Sequence, residues 1–399
     1  MHVKEAALAC VQCGQCRAAN WPEKGFYYVC PVLKTDITPK FEPFFSRGKN
    51  MILKGLFWGD LELSQEISDI IFQCTLCGSC EDFCHNSHNE YVKFKTHDWI
   101  DHVNVFEALR ADLVEAGYPI EAQIPMNRAL VELLNPYERD NKEKSNWIEK
   151  LDFKIKDAIQ EDVEILYFVG CTAALTPQIQ NVAIDTAKIL NKLGINFGVF
   201  GEKEICCGSV AMRTGDRKAF ENVAEKNVKL FEERGIKKII TSCAGCYRTL
   251  KKDYLEKLKD IEVLHTVEFL ADFIKNNSSK LKNLGIKTTY HDPCHLGRHM
   301  GVYDAPRIIL NEISDFIEMD TNRESAMCCG AGGGVKKGFP ELSIEIAKNR
   351  IEDAVKTGAK YLVSTCPFCY RNLSDAIELL GSNIKMLDLT DLILKALEQ

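Results

Sequence analysis

Ten cysteines from residue 171 onward in this 399-residue chain form two copies of one pattern. Cys171, Cys206, Cys207, Cys243 and Cys246 return as Cys294, Cys328, Cys329, Cys366 and Cys369, each displaced by 122 or 123 residues. Their surroundings repeat too, since Ser242 to Arg248 reads SCAGCYR and Thr365 to Arg371 reads TCPFCYR. A tandem duplication of this kind folds as two like units. Short apolar runs such as Ile165 to Val169 and Lys238 to Thr241 alternate with helical patterns such as Pro177 to Leu193 and Asp216 to Arg234, which predicts mixed α/β units. The Asn276-Asn277-Ser278-Ser279 stretch is the expected joint between copies, because such residues favour turns.

Each copy combines an early cysteine, a Cys-Cys-Gly and a C-x2-C. Four thiolates saturate an ordinary four-iron cube, so a fifth implies either an opened, irregular cluster or a cysteine held free for redox chemistry. Neighbouring side chains point apart in a strand, so both members of a Cys-Cys pair face one site only in a turn or at a helix start, where Gly208 and Gly330 permit unusual backbone angles. A vicinal disulfide at Cys206-Cys207 is the bland alternative, disfavoured in a reducing compartment.

The other eight cysteines stand before residue 85. Cys74, Cys77, Cys80 and Cys84 follow the C-x2-C-x2-C-x3-C spacing of bacterial ferredoxins, whose fourth thiolate reaches the other cluster. Cys10, Cys13 and Cys16 form a second such run, with Cys30-Pro31 delayed by an insertion from Arg17 to Val29. The crossover assigns Cys10, Cys13, Cys16 and Cys84 to one 4Fe-4S cluster and Cys74, Cys77, Cys80 and Cys30 to a second. Two features depart from the ferredoxin pattern, His85 after Cys84 and the long insertion. Structural zinc fits poorly, since zinc sites seldom take three cysteines from one C-x2-C-x2-C run.

Between these blocks Trp99, Val103, Phe106, Leu109 and Leu113 recur at helical spacing, ahead of a polar stretch from Tyr137 to Glu164. The expected architecture is a helical ferredoxin-type domain over 1–155 followed by two Rossmann-like α/β repeats over 156–278 and 279–399. A net charge of -7, with no basic run, argues against nucleic acid as a partner. Met1 to Cys10 lack the apolar core of a signal peptide, and no run of about 18 apolar residues occurs. The expectation is a cytoplasmic chain, free or attached to a membrane through a partner.

Two Cys-Cys-Gly repeats behind a two-cluster ferredoxin module resemble the D-type subunit of the coenzyme B–coenzyme M heterodisulfide reductases. Gly170-Cys171-Thr172-Ala173, Asn191 to Ile195, Cys206-Cys207-Gly208-Ser209, Arg213-Thr214-Gly215 and Cys243-Ala244-Gly245-Cys246 carry the resemblance, which spans almost the whole chain. It implies that each five-cysteine set holds a noncubane 4Fe-4S cluster, that the two face each other across a substrate disulfide, and that two cubane clusters feed them. It also implies a redox partner, whether membrane cytochrome, flavin protein or ferredoxin-like donor. Cys207 and Cys329 are the expected catalytic cysteines. The wider superfamily includes electron-transferring subunits of glycerol-3-phosphate, glycolate and lactate dehydrogenases, so a relay without a substrate of its own is the second reading.

Other residues carry weaker signals. Arg213 and Arg298, just beyond cluster cysteines, are candidates to hold an anionic substrate group, against the alternative of structural ion pairs. His291, His295 and His299 flank Cys294 and invite a zinc reading, but the five-thiol motif already accounts for that cysteine. His295 is a candidate proton donor to a product thiolate. Ala331-Gly332-Gly333-Gly334 lacks the Lys-Ser/Thr of a phosphate loop and reads better as close backbone packing.

Overall fold

The computed structural model describes residues 8–18, 27–84, 100–277 and 281–398. Trp99, His85 and part of the Arg17 to Val29 insertion lie outside them, as do Ser278 and Ser279. The fold is mixed α/β. Strands β1 (Lys156–Asp157), β2 (Ile165–Tyr167), β3 (Phe197–Val199), β4 (Lys238–Thr241) and β5 (Glu262–His265) form one sheet in the order β1-β3-β2-β4-β5. Strands β6 (Lys287–Tyr290), β7 (Asp315–Phe316), β8 (Tyr361–Ser364) and β9 (Lys385–Asp388) form another in the order β7-β6-β8-β9. Every pairing is parallel. Removing β1 leaves the same four-strand order twice, the order of one doubly wound sheet. The short edge strand β1 comes from the polar stretch and has no apolar run to announce it.

The helices follow their sequence signals. Arg217–Glu233 begins at Asp216, whose carboxylate accepts the Ala219 amide at 2.9 Å, a standard N-cap. His102–Glu115 buries Val103, Phe106, Leu109 and Leu113, with the Asp101 carboxylate accepting the Asn104 amide at 2.9 Å. Helix Thr266–Asn277 ends within the expected joint, taking in Asn276 and Asn277, and Ser278 and Ser279 lie outside the described residues. Its apolar positions Val267, Leu270, Ala271 and Ile274 are buried.

The repeats pack with a pseudo-two-fold relation. Helix Asn181–Lys192 of the first lies against Leu389–Glu398 of the second, and the equivalent pair, Thr266–Asn277 and Asp304–Ile313, makes the reciprocal contact. A single hydrophobic core therefore runs through both sheets, from Leu166 and Ile240 to Leu362 and Leu392. Burying both helix layers in one core turns the two sheets' cysteine-bearing ends toward each other.

Candidate active site

In each repeat the early cysteine follows the first main strand and the C-x2-C follows the strand beside it. Cys171 lies beyond β2 and Cys243 beyond β4; Cys294 lies beyond β6 and Cys366 beyond β8. These are the carboxyl ends of adjacent strands where the chain reverses its winding, the place where open α/β sheets bind ligands. The duplication also repeats the fixing contacts. Tyr167, ending β2, meets the Ser242 hydroxyl at 3.2 Å, and Tyr290, ending β6, meets the Thr365 hydroxyl at 2.7 Å; each hydroxyl precedes a C-x2-C. The Cys-Cys pairs sit in turns closed by Gly208 (φ 79°) and Gly330 (φ 85°), as two neighbouring thiols on one site require.

The ten thiols form one continuous series. Contacts run from Cys171 to Cys206, then Cys207, Cys246 and Cys243. Cys243 meets Cys366 of the second repeat, after which the mirrored order continues through Cys369, Cys329 and Cys328 to Cys294. All of these cysteines except Cys328 line one cavity of about 400 Å³. Among the described residues no cysteine forms a disulfide. Contacts from Cys206 and Cys246 hold the Cys207 thiol below its usual range, and those from Cys328 and Cys369 do the same for Cys329. Neighbouring thiols lower Cys328 and Cys366 as well, so the thiolate form that binds metal is favoured at several places along the series.

Two further cavities lie in the N-terminal region. Cys30, Cys74, Cys77 and Cys80 line one; Cys10, Cys13, Cys16 and Cys84 line the other. These are the groupings expected from the ferredoxin crossover. Burial pushes the Cys16 and Cys30 thiols up to about 12. Thiols that resist ionisation in water-poor cavities need a cationic group to become thiolates, so the all-sulfur donor sets suit iron. Ser46 touches both Cys16 and Cys80, and Cys77 touches Cys328. The four donor sets are therefore adjacent in a fixed order, and Cys13, at one end, is exposed.

Two cations beside these sites carried no sequence signal. Lys49, 1% exposed, lines the Cys30/Cys74 cavity and donates to the Phe44 carbonyl at 2.7 Å. Arg110, fully buried, donates through Nη1 to the carbonyls of Arg213 and Gly333, both at 2.7 Å. Through Nη2 it reaches those of Ile71 at 3.1 Å and Cys74 at 2.5 Å, clamping the ferredoxin region to both repeats. Only the tertiary fold brings these carbonyls together.

The weaker candidates divide. Arg213 lines the central cavity, but its guanidinium is ion-paired with Glu107 at 3.1 Å and with Asp253. Arg298 does not line that cavity; it donates to the carbonyls of Cys77 (2.7 Å) and Ala326 (2.6 Å), joining the ferredoxin loop to the second repeat. The cavity's other cations, Lys336, Lys337 and Arg371, carry no sequence signal of their own, and Lys336 is held by Asn372 and Asp375, both at 2.7 Å. His295 lines the cavity beside His299, with ring centroids 4.5 Å apart; burial, then Arg248, lowers its pKa to about 3, so the ring is neutral at pH 7. A ring nitrogen of His291 groups with Cys329 and Cys369 within 4.8 Å. The triple-glycine loop packs closely, as expected: a Cβ at Gly332 would lie 2.8 Å from the Thr75 carbonyl oxygen.

Comparison with known proteins agrees with this geometry. A cysteine-rich domain matches residues 165–251 and 288–374, and a 4Fe-4S dicluster domain matches residues 6–88. The D-type subunit of the dihydromethanophenazine:CoB–CoM heterodisulfide reductase of Methanosarcina mazei is 38% identical, over 98% of this chain and 93% of its own length. The EtfAB:quinone oxidoreductase of Syntrophomonas wolfei is 30% identical over 83% of this chain and 47% of its own. The B-type subunit of the fumarate reductase (CoM/CoB) of Methanothermobacter marburgensis is 30% identical over 96% of this chain and 71% of its own. A crystal structure of a hypothetical protein from Helicobacter pylori shares the fold, with a TM-score of 0.58 at 11% identity over 91% of this chain and 70% of that one.

Proposed function

Because the chain belongs to the family of D-type heterodisulfide reductase subunits, which are iron-sulfur oxidoreductases, we propose that it is the catalytic subunit of a heterodisulfide reductase-like complex. Its substrate is the coenzyme B–coenzyme M disulfide or a related one. The observation that carries this reading is the single cavity of about 400 Å³ lined by cysteines from both repeats, with Cys243 against Cys366 at its centre. The same reading divides the chain into units 1–155, 156–278 and 279–399.

Cys171, Cys206, Cys207, Cys243 and Cys246 hold one noncubane cluster, and Cys294, Cys328, Cys329, Cys366 and Cys369 the other. Two cubane clusters take the N-terminal sets. Bound there, the clusters supply electrons singly, and two electrons with two protons convert a disulfide into two thiols. The chain's own residues do the rest. Cys207 and Cys329 are its catalytic cysteines, and Arg371 and Lys337 offer positive charge to the anionic ends of such a substrate. Lys49, Arg110 and Arg298 place positive charge beside the N-terminal thiols. Ser46 and the Cys77–Cys328 contact keep the donor sets in series. Among the described residues no helix is long and apolar enough to cross a membrane.

The test is spectroscopic. Anaerobically purified protein should contain about 16 iron, four clusters of four. Oxidation with one product thiol should give a new paramagnetic signal that broadens when the thiol carries a magnetic sulfur isotope and vanishes in Cys207→Ala or Cys329→Ala. A relay component of a flavin-linked dehydrogenase, the reading favoured by likeness to the EtfAB:quinone oxidoreductase, would show no response to thiols. That result on fully loaded protein would replace the disulfide reading.

A further inference from the structure

The two repeats are duplicates in their cysteines but not in what surrounds them. The residue that ends the first main strand region, three positions before the early cysteine, is Phe168 in the first repeat and His291 in the second. The facing position on the long helix is Asn227 in the first and Arg350 in the second. Phe168 is fully buried against Phe231, with ring centroids 6.5 Å apart, and Asn227 donates to the Cys206 carbonyl at 2.9 Å. In the second repeat Arg350, 0% exposed, donates from Nε to His291 Nδ1 at 3.1 Å. Its Nη1 is fixed by the carbonyl and hydroxyl oxygens of Thr321 at 2.9 and 2.8 Å.

A guanidinium can only donate, so Nδ1 of His291 must present its lone pair. The ring is then neutral and carries its hydrogen on Nε2. That atom is buried without a hydrogen-bond partner in a ring 1% exposed, and a ring nitrogen stands within 4.8 Å of the sulfurs of Cys329 and Cys369. The first repeat offers a phenyl ring at this position and no donor.

We propose that His291, locked in one tautomer by Arg350, is a positioning residue that presents an N–H to the sulfurs of the second-repeat site and makes it the more easily reduced of the pair. The proposal rests on the reading of the repeats as iron-sulfur sites. Reduction adds negative charge to a cluster and its sulfurs, so a donor aimed at them stabilises the reduced form more than the oxidised one. The duplicated site is therefore electronically unequal, and a substrate disulfide held between the halves meets two different one-electron donors.

The test is a redox titration followed by paramagnetic resonance on anaerobic full-length protein, with iron counted in every sample. The second-site signal is the one removed by Cys329→Ala. In His291→Phe, which copies the first repeat, iron should stay at the wild-type count. The reduced-to-oxidised ratio of that signal should fall on the order of tenfold, a shift of ~59 mV for one electron. Arg350→Asn should shift it the same way, and His291→Asn, which keeps an N–H, should recover part of the loss; these two variants decide the matter if His291→Phe does not fold. Protein labelled with 15N-histidine should show a weak nitrogen coupling on this signal that His291→Phe removes. An unchanged potential at full iron content would overturn the proposal. So would a loss of about four iron with a strong nitrogen coupling in the wild type, which would make His291 a ligand. Wild-type protein without iron in the repeats would refute the cluster reading itself, a separate failure.

Discussion

Arg110→Leu tests whether the three regions of the molecule are held by one buried side chain. The substitution keeps an apolar stem where Arg110 packs over the Phe72 ring, 4.7 Å from its centroid, and removes four hydrogen bonds to main-chain carbonyls. Ile71 O keeps the Cys74 amide as a donor at 3.3 Å, so the loss falls on the carbonyls of Cys74, Arg213 and Gly333. Each buried carbonyl left without a donor costs ~1–3 kcal/mol, a gross loss of about 3–9 kcal/mol. Part is recovered, because burying the guanidinium is itself unfavourable; desolvation lowers its pKa to about 10. The net expectation is ~3–5 kcal/mol, the lower part of that gross loss. At ~2–4 °C per kcal/mol for a unit of this size, the melting temperature of the loaded protein should fall by about 10 °C. Exposed Arg128 provides the control, as Arg128→Leu should change little. Iron release from the Cys74 region should also quicken, since Arg110 fixes the Cys74 carbonyl. A melting temperature within ~2 °C of wild type, at unchanged iron content, would refute the clamp.

Other perturbations separate the remaining interactions. Gly333→Ala would set a Cβ 2.6 Å from the Cys74 carbonyl oxygen at a backbone φ of 61°, so it should destabilise the chain by ~2 kcal/mol or more and slow electron delivery to the repeats, measured by melting and by single-turnover reduction. Asp388 is 4% exposed, and burial raises its pKa to about 7. A carboxyl with a raised folded-state pKa loses stability as pH climbs from about 4 to 7, so Asp388→Asn should stabilise the chain at pH 8 by on the order of 3 kcal/mol, read as a higher melting temperature, and the gain should vanish towards pH 4. Cys77→Ala should cut turnover from the natural donor while sparing part of that driven by a small reductant, whereas Cys207→Ala should abolish both; equal losses in Cys77→Ala with its other clusters intact would undo the division between wire and catalyst.

The cysteine spacing alone determined the duplication and the grouping of the N-terminal thiols into two sets of four, because the chain records both at fixed intervals. Alternating apolar runs and capped helices likewise announced the α/β units, since local periodicity is set by which faces must be buried. Tertiary structure decided matters that have no local signature. The order of the strands places Cys171 beside Cys243 and Cys294 beside Cys366, and the reciprocal helix contacts turn those two ends into one chamber. Arg298 looked available for substrate because a charge next to a cluster cysteine has the same sequence signature whether it faces a cavity or a buried carbonyl. Arg110, Lys49 and the His291–Arg350 pair were illegible for the opposite reason. Their partners are backbone atoms and side chains from distant segments, and a hydrogen bond spanning 223 residues, as from Arg110 to Gly333, leaves no periodicity along the chain.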